Sequence, residues 1–126
     1  MKVLVVDDSL VVRTIIQKTV ESMGFTAEHA GNGKEALDIL ARKAYDFDLV
    51  LLDWNMPLMD GHETAKHIKG NQVYDHLCII MISTESEDEK INQALAAGAN
   101  GYLAKPFSQE ELSLKIKSTL ADFKSR

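Results

Sequence analysis

Short apolar runs and longer amphipathic stretches alternate along the whole chain. Positions 3–6 are uniformly apolar and end in Asp7-Asp8, which predicts a short strand buried on both faces. Ser9 then caps a helix to Met23, with Val12, Ile15, Ile16, Val20 and Met23 expected on one face and Gly24 as its stop. Positions 26–30 predict a weaker strand at a sheet edge. Asn32, with Glu35 three residues on, resembles a capping box and opens a helix to about position 43. Positions 49–52 have the length and uniform apolarity of a strand buried on both faces, and the run ends abruptly in Asp53. Pro57 and the Asp60-Gly61 pair mark the following loop, and Asp60 with Glu63 caps a helix to about position 70. Positions 77–82 predict a fourth strand, ending in Ser83-Thr84. Ser86 with Glu89 predicts a capping box for a helix to Ala97, stopped by Gly98. A fifth strand over 101–104 ends in Lys105-Pro106. Ser108 with Glu111 then opens a last helix carrying Leu112, Ile116 and Leu120.

A strand followed by a helix, five times over, predicts an α/β fold: right-handed crossovers and a parallel sheet with helices on both faces. The chain has 126 residues, enough for one core, and is expected to form one domain over 1–126. A net charge of −5 argues against sequence-independent binding to nucleic acid or an anionic membrane. The single cysteine, Cys78, lies in an apolar run and is expected to be a buried thiol. No apolar run approaches membrane-spanning length, and charge comes too early for a signal peptide; a cytoplasmic protein is expected.

Four predicted strands end in polar residues. These are Asp7 and Asp8, Asp53, Ser83 and Lys105. In a parallel sheet all carboxyl ends share one edge, where open α/β sheets place their chemistry. Three converging carboxylates repel one another unless a cation sits among them, and Mg²⁺ suits such oxygen ligands. Carboxylates, Mg²⁺, a lysine and a hydroxyl together suit a phosphoryl group. There is no phosphate-cradling glycine loop for a nucleotide and no hydrolase nucleophile elbow. The well-placed nucleophile is the carboxylate of Asp53, which can form an acyl phosphate. Taken singly, Asp7 and Asp8 read equally well as helix caps, Ser83 as a strand end and Tyr102 as a half-buried strand aromatic. His29, His62, His67 and His76 show no ligand spacing and are expected at the surface, and Trp54 is expected to be partly exposed. Glu87-Asp88-Glu89 reads as a favourable acidic first turn.

Asp7-Asp8, Asp53, Met56-Pro57, Met59-Asp60-Gly61, Ser83 and Lys105-Pro106-Phe107, in this order and at these strand ends, resemble the receiver domain of two-component response regulators. The resemblance extends over essentially the whole length and is nearest to single-domain, chemotaxis-type members. It implies a doubly wound (βα)5 flavodoxin-like fold with strand order 2-1-3-4-5. It also implies that Asp53 accepts phosphate from a histidine kinase. Mg²⁺ would be held by Asp8, Asp53 and the backbone carbonyl of Asn55, with Asp7 in support. Ser83 and Lys105 would contact the phosphoryl group, Tyr102 would turn inward, and the bond before Pro106 would be cis. Asn55 and Glu85 would tune the lifetime of the acyl phosphate. The implied output is a monomer whose fourth helix, fifth strand and fifth helix bind a protein target, either a flagellar motor switch or another signalling protein. Its only catalysis would be its own phosphorylation and dephosphorylation. Two departures bear on the target. The fourth helix starts acidic where chemotaxis regulators are basic, and Leu10-Val11-Val12 lacks the usual phenylalanine. The competing readings are a Mg²⁺-dependent aspartyl phosphatase and a phosphorylation-independent binding module. The first normally has a second aspartate where Asn55 stands.

Overall fold

The computed structural model describes residues 1–84 and 87–125. Its strands are β1 (Lys2–Val6), β2 (Thr26–Ala30), β3 (Leu49–Asp53), β4 (Cys78–Ser83) and β5 (Gly101–Ala104). Its helices are α1 (Leu10–Ser22), α2 (Gly33–Lys43), α3 (Gly61–Lys69), α4 (Asp88–Ala96) and α5 (Gln109–Lys124). The strands form one parallel sheet in the order β2-β1-β3-β4-β5. The short apolar runs thus form strands, and the weak run at 26–30 is an edge strand.

Alternation along each strand splits the core into two layers. Val3, Val5, Leu49, Leu51, Cys78, Ile80 and Ile82 pack with Ile16 and Val20 of α1 and Leu112, Ile116 and Leu120 of α5. Leu4, Val6, Val50, Leu52, Ile79 and Met81 pack on the other face with residues of α2, α3 and α4. Cys78 is buried, as expected.

The helix ends follow their capping chemistry closely. Ser9 Oγ accepts from Val12 N at 3.3 Å, and Asp60 Oδ1 from Glu63 N at 2.8 Å. Ser108 and Glu111 form a reciprocal capping box. At α2 the box is half made. Asn32 Oδ1 accepts from Glu35 N, but the Glu35 carboxylate accepts from Gly31 N, one residue earlier than a box requires. Gly24, at φ 87°, ends α1: its N–H reaches the Glu21 carbonyl and that of Phe25 the Val20 carbonyl. A left-handed residue is needed there, and glycine takes that conformation without a Cβ clash.

Two expectations need correction. First, α4 begins at Asp88 with Glu87 in the capping position and no side-chain cap bond. The Ser86 box placed that start earlier, and Ser86 lies outside the described residues. Second, Ile15 is 46% exposed. The buried stripe of α1 is Ile16, Thr19 and Val20, which turns Ile15 toward a cleft of about 390 Å³ shared with Val12, Pro106 and Phe107. Two 3-10 turns, Ala44–Asp46 and Gln72–Tyr74, also precede β3 and β4, unannounced by any periodicity.

Candidate phosphoacceptor site

Sheet register builds the site. β1 and β3 pair with Val6 opposite Leu52, so the residues that follow, Asp7 and Asp53, emerge side by side at the carboxyl edge. Both share the strand parity of Val3, Val5, Leu49 and Leu51, which puts them on the α1/α5 face. Lys105 shares that face through Leu103, but lies beyond β4. Its long stem crosses the end of β4, and its ammonium donates to Asp53 Oδ1 at 3.0 Å and Asp7 Oδ2 at 3.1 Å. Its own backbone N–H is held by the Ser83 carbonyl at 2.7 Å. The Lys105–Pro106 peptide is cis.

Asp7 is buried and its other oxygen accepts from Ser9 N at 2.8 Å. Asp8 is exposed. Asp53 is 5% exposed. Burial, followed by the charge of Asp7, pushes the Asp53 carboxyl up to about 6 from 3.8, against the pull of Lys105. Burial works against the charge of Lys105, but hydrogen bonding and charge from Asp53 and then Asp7 prevail and raise its pKa.

Among the described residues, Asp7, Asp8 and Asp53 can each offer a carboxylate oxygen, all within 4.8 Å of one another. Three acids this close, one of them already resisting ionisation, fit a hard divalent cation. Asn55 is exposed in the loop after β3. Ser83 is fully buried at the end of β4, on the opposite strand parity from Asp53. Tyr102 is half-buried against the α2–α4 core layer. Glu85 lies outside the described residues.

Trp54 corrects the expectation of partial exposure, since it is only 7% exposed. Alternation sends it to the opposite face from Asp53. There it stacks on His62 of α3, with centroids 5.6 Å apart, and lies under the Lys90 ammonium of α4 at 5.3 Å. His62 is therefore partly buried. So are His29 and His76, the latter stacked on Tyr45 and bonded to the Ala44 carbonyl at 2.8 Å. Only His67 of the four is fully at the surface.

One supporting residue, Arg13, and the tight packing of another, Gly61, escaped the sequence reading. Arg13 of α1 reaches back to the Asp7 carbonyl at 2.5 Å. An arginine one turn into an amphipathic helix carries no signal of that reach. Gly61 donates its N–H to the Trp54 carbonyl at 2.8 Å. A Cβ there would overlap the Asp53 carbonyl and crowd the Met81 sulfur. The Asp60-Gly61 pair was legible as a turn, but the close approach was not.

Fold and site together define a doubly wound α/β protein with an acid–lysine pocket at the carboxyl edge of its sheet, the class that includes phosphoacceptor signalling domains. The chain belongs to the response regulator receiver domain family, whose model matches residues 3–117. Magnesium binding and phosphorylation are typical of that family. The chain is similar to the chemotaxis protein CheY-3 of Vibrio cholerae, with 40% identity over 92% of this chain and 88% of that one. It is also similar to the solved structure of V. cholerae CheY4, with 39% identity and a TM-score of 0.87 over 94% and 97% of the two chains. A CheX–CheY complex of Borrelia burgdorferi containing BeF₃ and Mg²⁺ matches at 28% identity and a TM-score of 0.88, over 94% of this chain and 87% of that one. The sheet order expected from the family resemblance is the observed one. Among the described residues no helix is long and apolar enough to cross a membrane.

Proposed function

We propose that Asp53 accepts a phosphoryl group from the phosphohistidine of a histidine kinase. The P–N bond to the donor imidazole breaks and a P–O bond to the Asp53 carboxylate forms. The observation that carries this reading is the Lys105 ammonium shared between Asp53 and Asp7. It stands where charge gathers on the transferring oxygens. A carboxyl with a pKa of about 6 is still mostly ionised at pH 7, and more basic than an ordinary aspartate. Asp7, Asp8, Asp53 and the carbonyl of Asn55 would hold Mg²⁺, which when bound supplies positive charge between the carboxylates and the phosphoryl oxygens.

Ser83 supplies a hydroxyl to the phosphoryl group, and Tyr102, on the neighbouring strand β5, follows it inward. The face of α4, β5 and α5 thereby changes its affinity for a protein target, either a motor switch or another signalling protein. Water attack on phosphorus releases inorganic phosphate and restores the carboxylate, with Asn55 and Glu85 setting the rate. In this reading the chain is a cytoplasmic monomer that turns over no external substrate, and Asn55 stands where an aspartyl phosphatase needs its acid.

Intact-mass analysis after incubation with acetyl phosphate tests the proposal. One added phosphoryl group is expected with Mg²⁺, and none with EDTA or in Asp53→Asn. An unmodified wild-type chain under all conditions would overturn it.

A further inference from the structure

Trp54 immediately follows the phosphoacceptor and ties three elements together. Its N–H donates to the Ile82 carbonyl at 2.9 Å, and its carbonyl accepts from Gly61 N at 2.8 Å. Its ring stacks on His62 in the first turn of α3, at an interplanar angle of 24°. The Lys90 ammonium, from the first turn of α4, lies over the same ring at 5.3 Å, within cation–π range. α4 lacks a side-chain cap at Glu87. The Lys90–Trp54 contact therefore supplies a specific tie between the start of α4 and the turn that follows Asp53.

We propose that Lys90 is a positioning residue: its ammonium on the Trp54 ring, with His62 holding that ring, latches α4 in the arrangement adopted while Asp53 is unmodified. The proposal rests on the phosphoacceptor reading above and adds a restraint against which activation works. A contact made in one of two arrangements stabilises that arrangement alone, and a phosphoryl group must supply that much more differential interaction to populate the other. Asp53 and Trp54 point to opposite faces of the sheet, so Lys90 acts through the placement of α4 rather than on the phosphoryl group.

Beryllofluoride in the presence of Mg²⁺, followed by calorimetry, measures this directly. Lys90→Met is expected to bind about two- to five-fold more tightly than wild type, the range a single cation–π contact spans. Loss of a positive charge near an anion site would by itself weaken binding, so the sign separates the latch from bulk electrostatics. Lys90→Arg, which keeps a cation on the indole, is expected to match wild type. Placed on Trp54→Phe, which keeps the site filled with a weaker π face, Lys90→Met is expected to gain less. Equal or weaker binding by Lys90→Met, with wild type binding normally, overturns the latch and leaves the phosphoacceptor standing. A wild-type chain that binds no beryllofluoride overturns both.

Discussion

Lys105 Nζ stands 3.0 Å from Asp53 Oδ1 although Asp53 ends β3 and Lys105 follows β5, with β4 between them. The same ammonium lies 3.1 Å from Asp7 Oδ2. It therefore opposes two influences that raise the Asp53 pKa, burial first and the Asp7 charge second. Lys105→Met is expected to move the Asp53 titration above about 6, and Asp7→Asn to move it below. Carboxyl-carbon NMR in the absence of divalent cations reads both. An unmoved midpoint in Lys105→Met would mean that the ion pair carries no weight in solution.

The raised Asp53 pKa makes the stability of the fold depend on pH. The native state takes up the Asp53 proton near pH 6, and the unfolded chain only near 3.8. Between these values Asp53 binds more protons in the native state, so its contribution to stability rises as pH falls from 7 through 6 toward 4. Above pH 6 the penalty is fully present, about 1–2 kcal/mol after allowance for solvent screening at the open sheet edge. Asp53→Asn is thus expected to raise the thermal midpoint at pH 7 and to leave it unchanged near pH 4. Saturating Mg²⁺ should remove most of the difference at pH 7 by raising wild type. Denaturation curves at the two pH values test this.

Legibility in the sequence divided along physical lines. Buried parallel strands are short and uniformly apolar, so the runs around Val5, Leu51 and Ile80 marked themselves. The acids and lysine were legible because each stands where such a run stops. What stayed hidden depends on register or reach. No local pattern says that Arg13 folds back onto Asp7, or that a glycine meets the Asp53 carbonyl. Trp54 was misplaced because its neighbour Asp53 opens to the site; one step along a strand reverses the side chain and buries the ring. Ile15 was misplaced because a stripe on α1 wide enough to include it outruns the sheet it packs on.

Gly61→Ala tests the close approach of α3 to Asp53. The added methyl meets the Asp53 carbonyl and the Met81 sulfur, so the helix start or the strand end must shift. The expected cost is about 1–3 kcal/mol, read as a fall of roughly 5 °C or more in thermal midpoint. Beryllofluoride binding should weaken as well, because the displaced carbonyl belongs to the residue proposed to accept the phosphoryl group.

Ser83→Ala separates the hydroxyl from the metal. In the proposed role Ser83 meets the phosphoryl oxygens and not the cation. The substitution should weaken beryllofluoride binding roughly ten-fold, as expected for a hydrogen bond to a charged group, and leave Mg²⁺ affinity unchanged. Parallel titrations distinguish the two. A matching loss of Mg²⁺ affinity would place the defect in the pocket as a whole.

Leu58 carries the described chain's one positive φ outside glycine, at 70°, in the loop between Asp53 and α3. The Met59 N–H reaches the Pro57 carbonyl at 2.7 Å, which closes a tight γ-turn around it. The side chain is 75% exposed, so burial does little to offset a left-handed backbone. That conformation costs a leucine about 1–2 kcal/mol, and glycine's extra unfolded-state entropy takes back about 0.5–1. Leu58→Gly is therefore expected to stabilise the fold by up to about 1.5 kcal/mol, seen as a midpoint a few degrees higher. A lower midpoint would show that the leucine side chain is held by contacts outweighing its strain, and would make the turn a rigid part of the site.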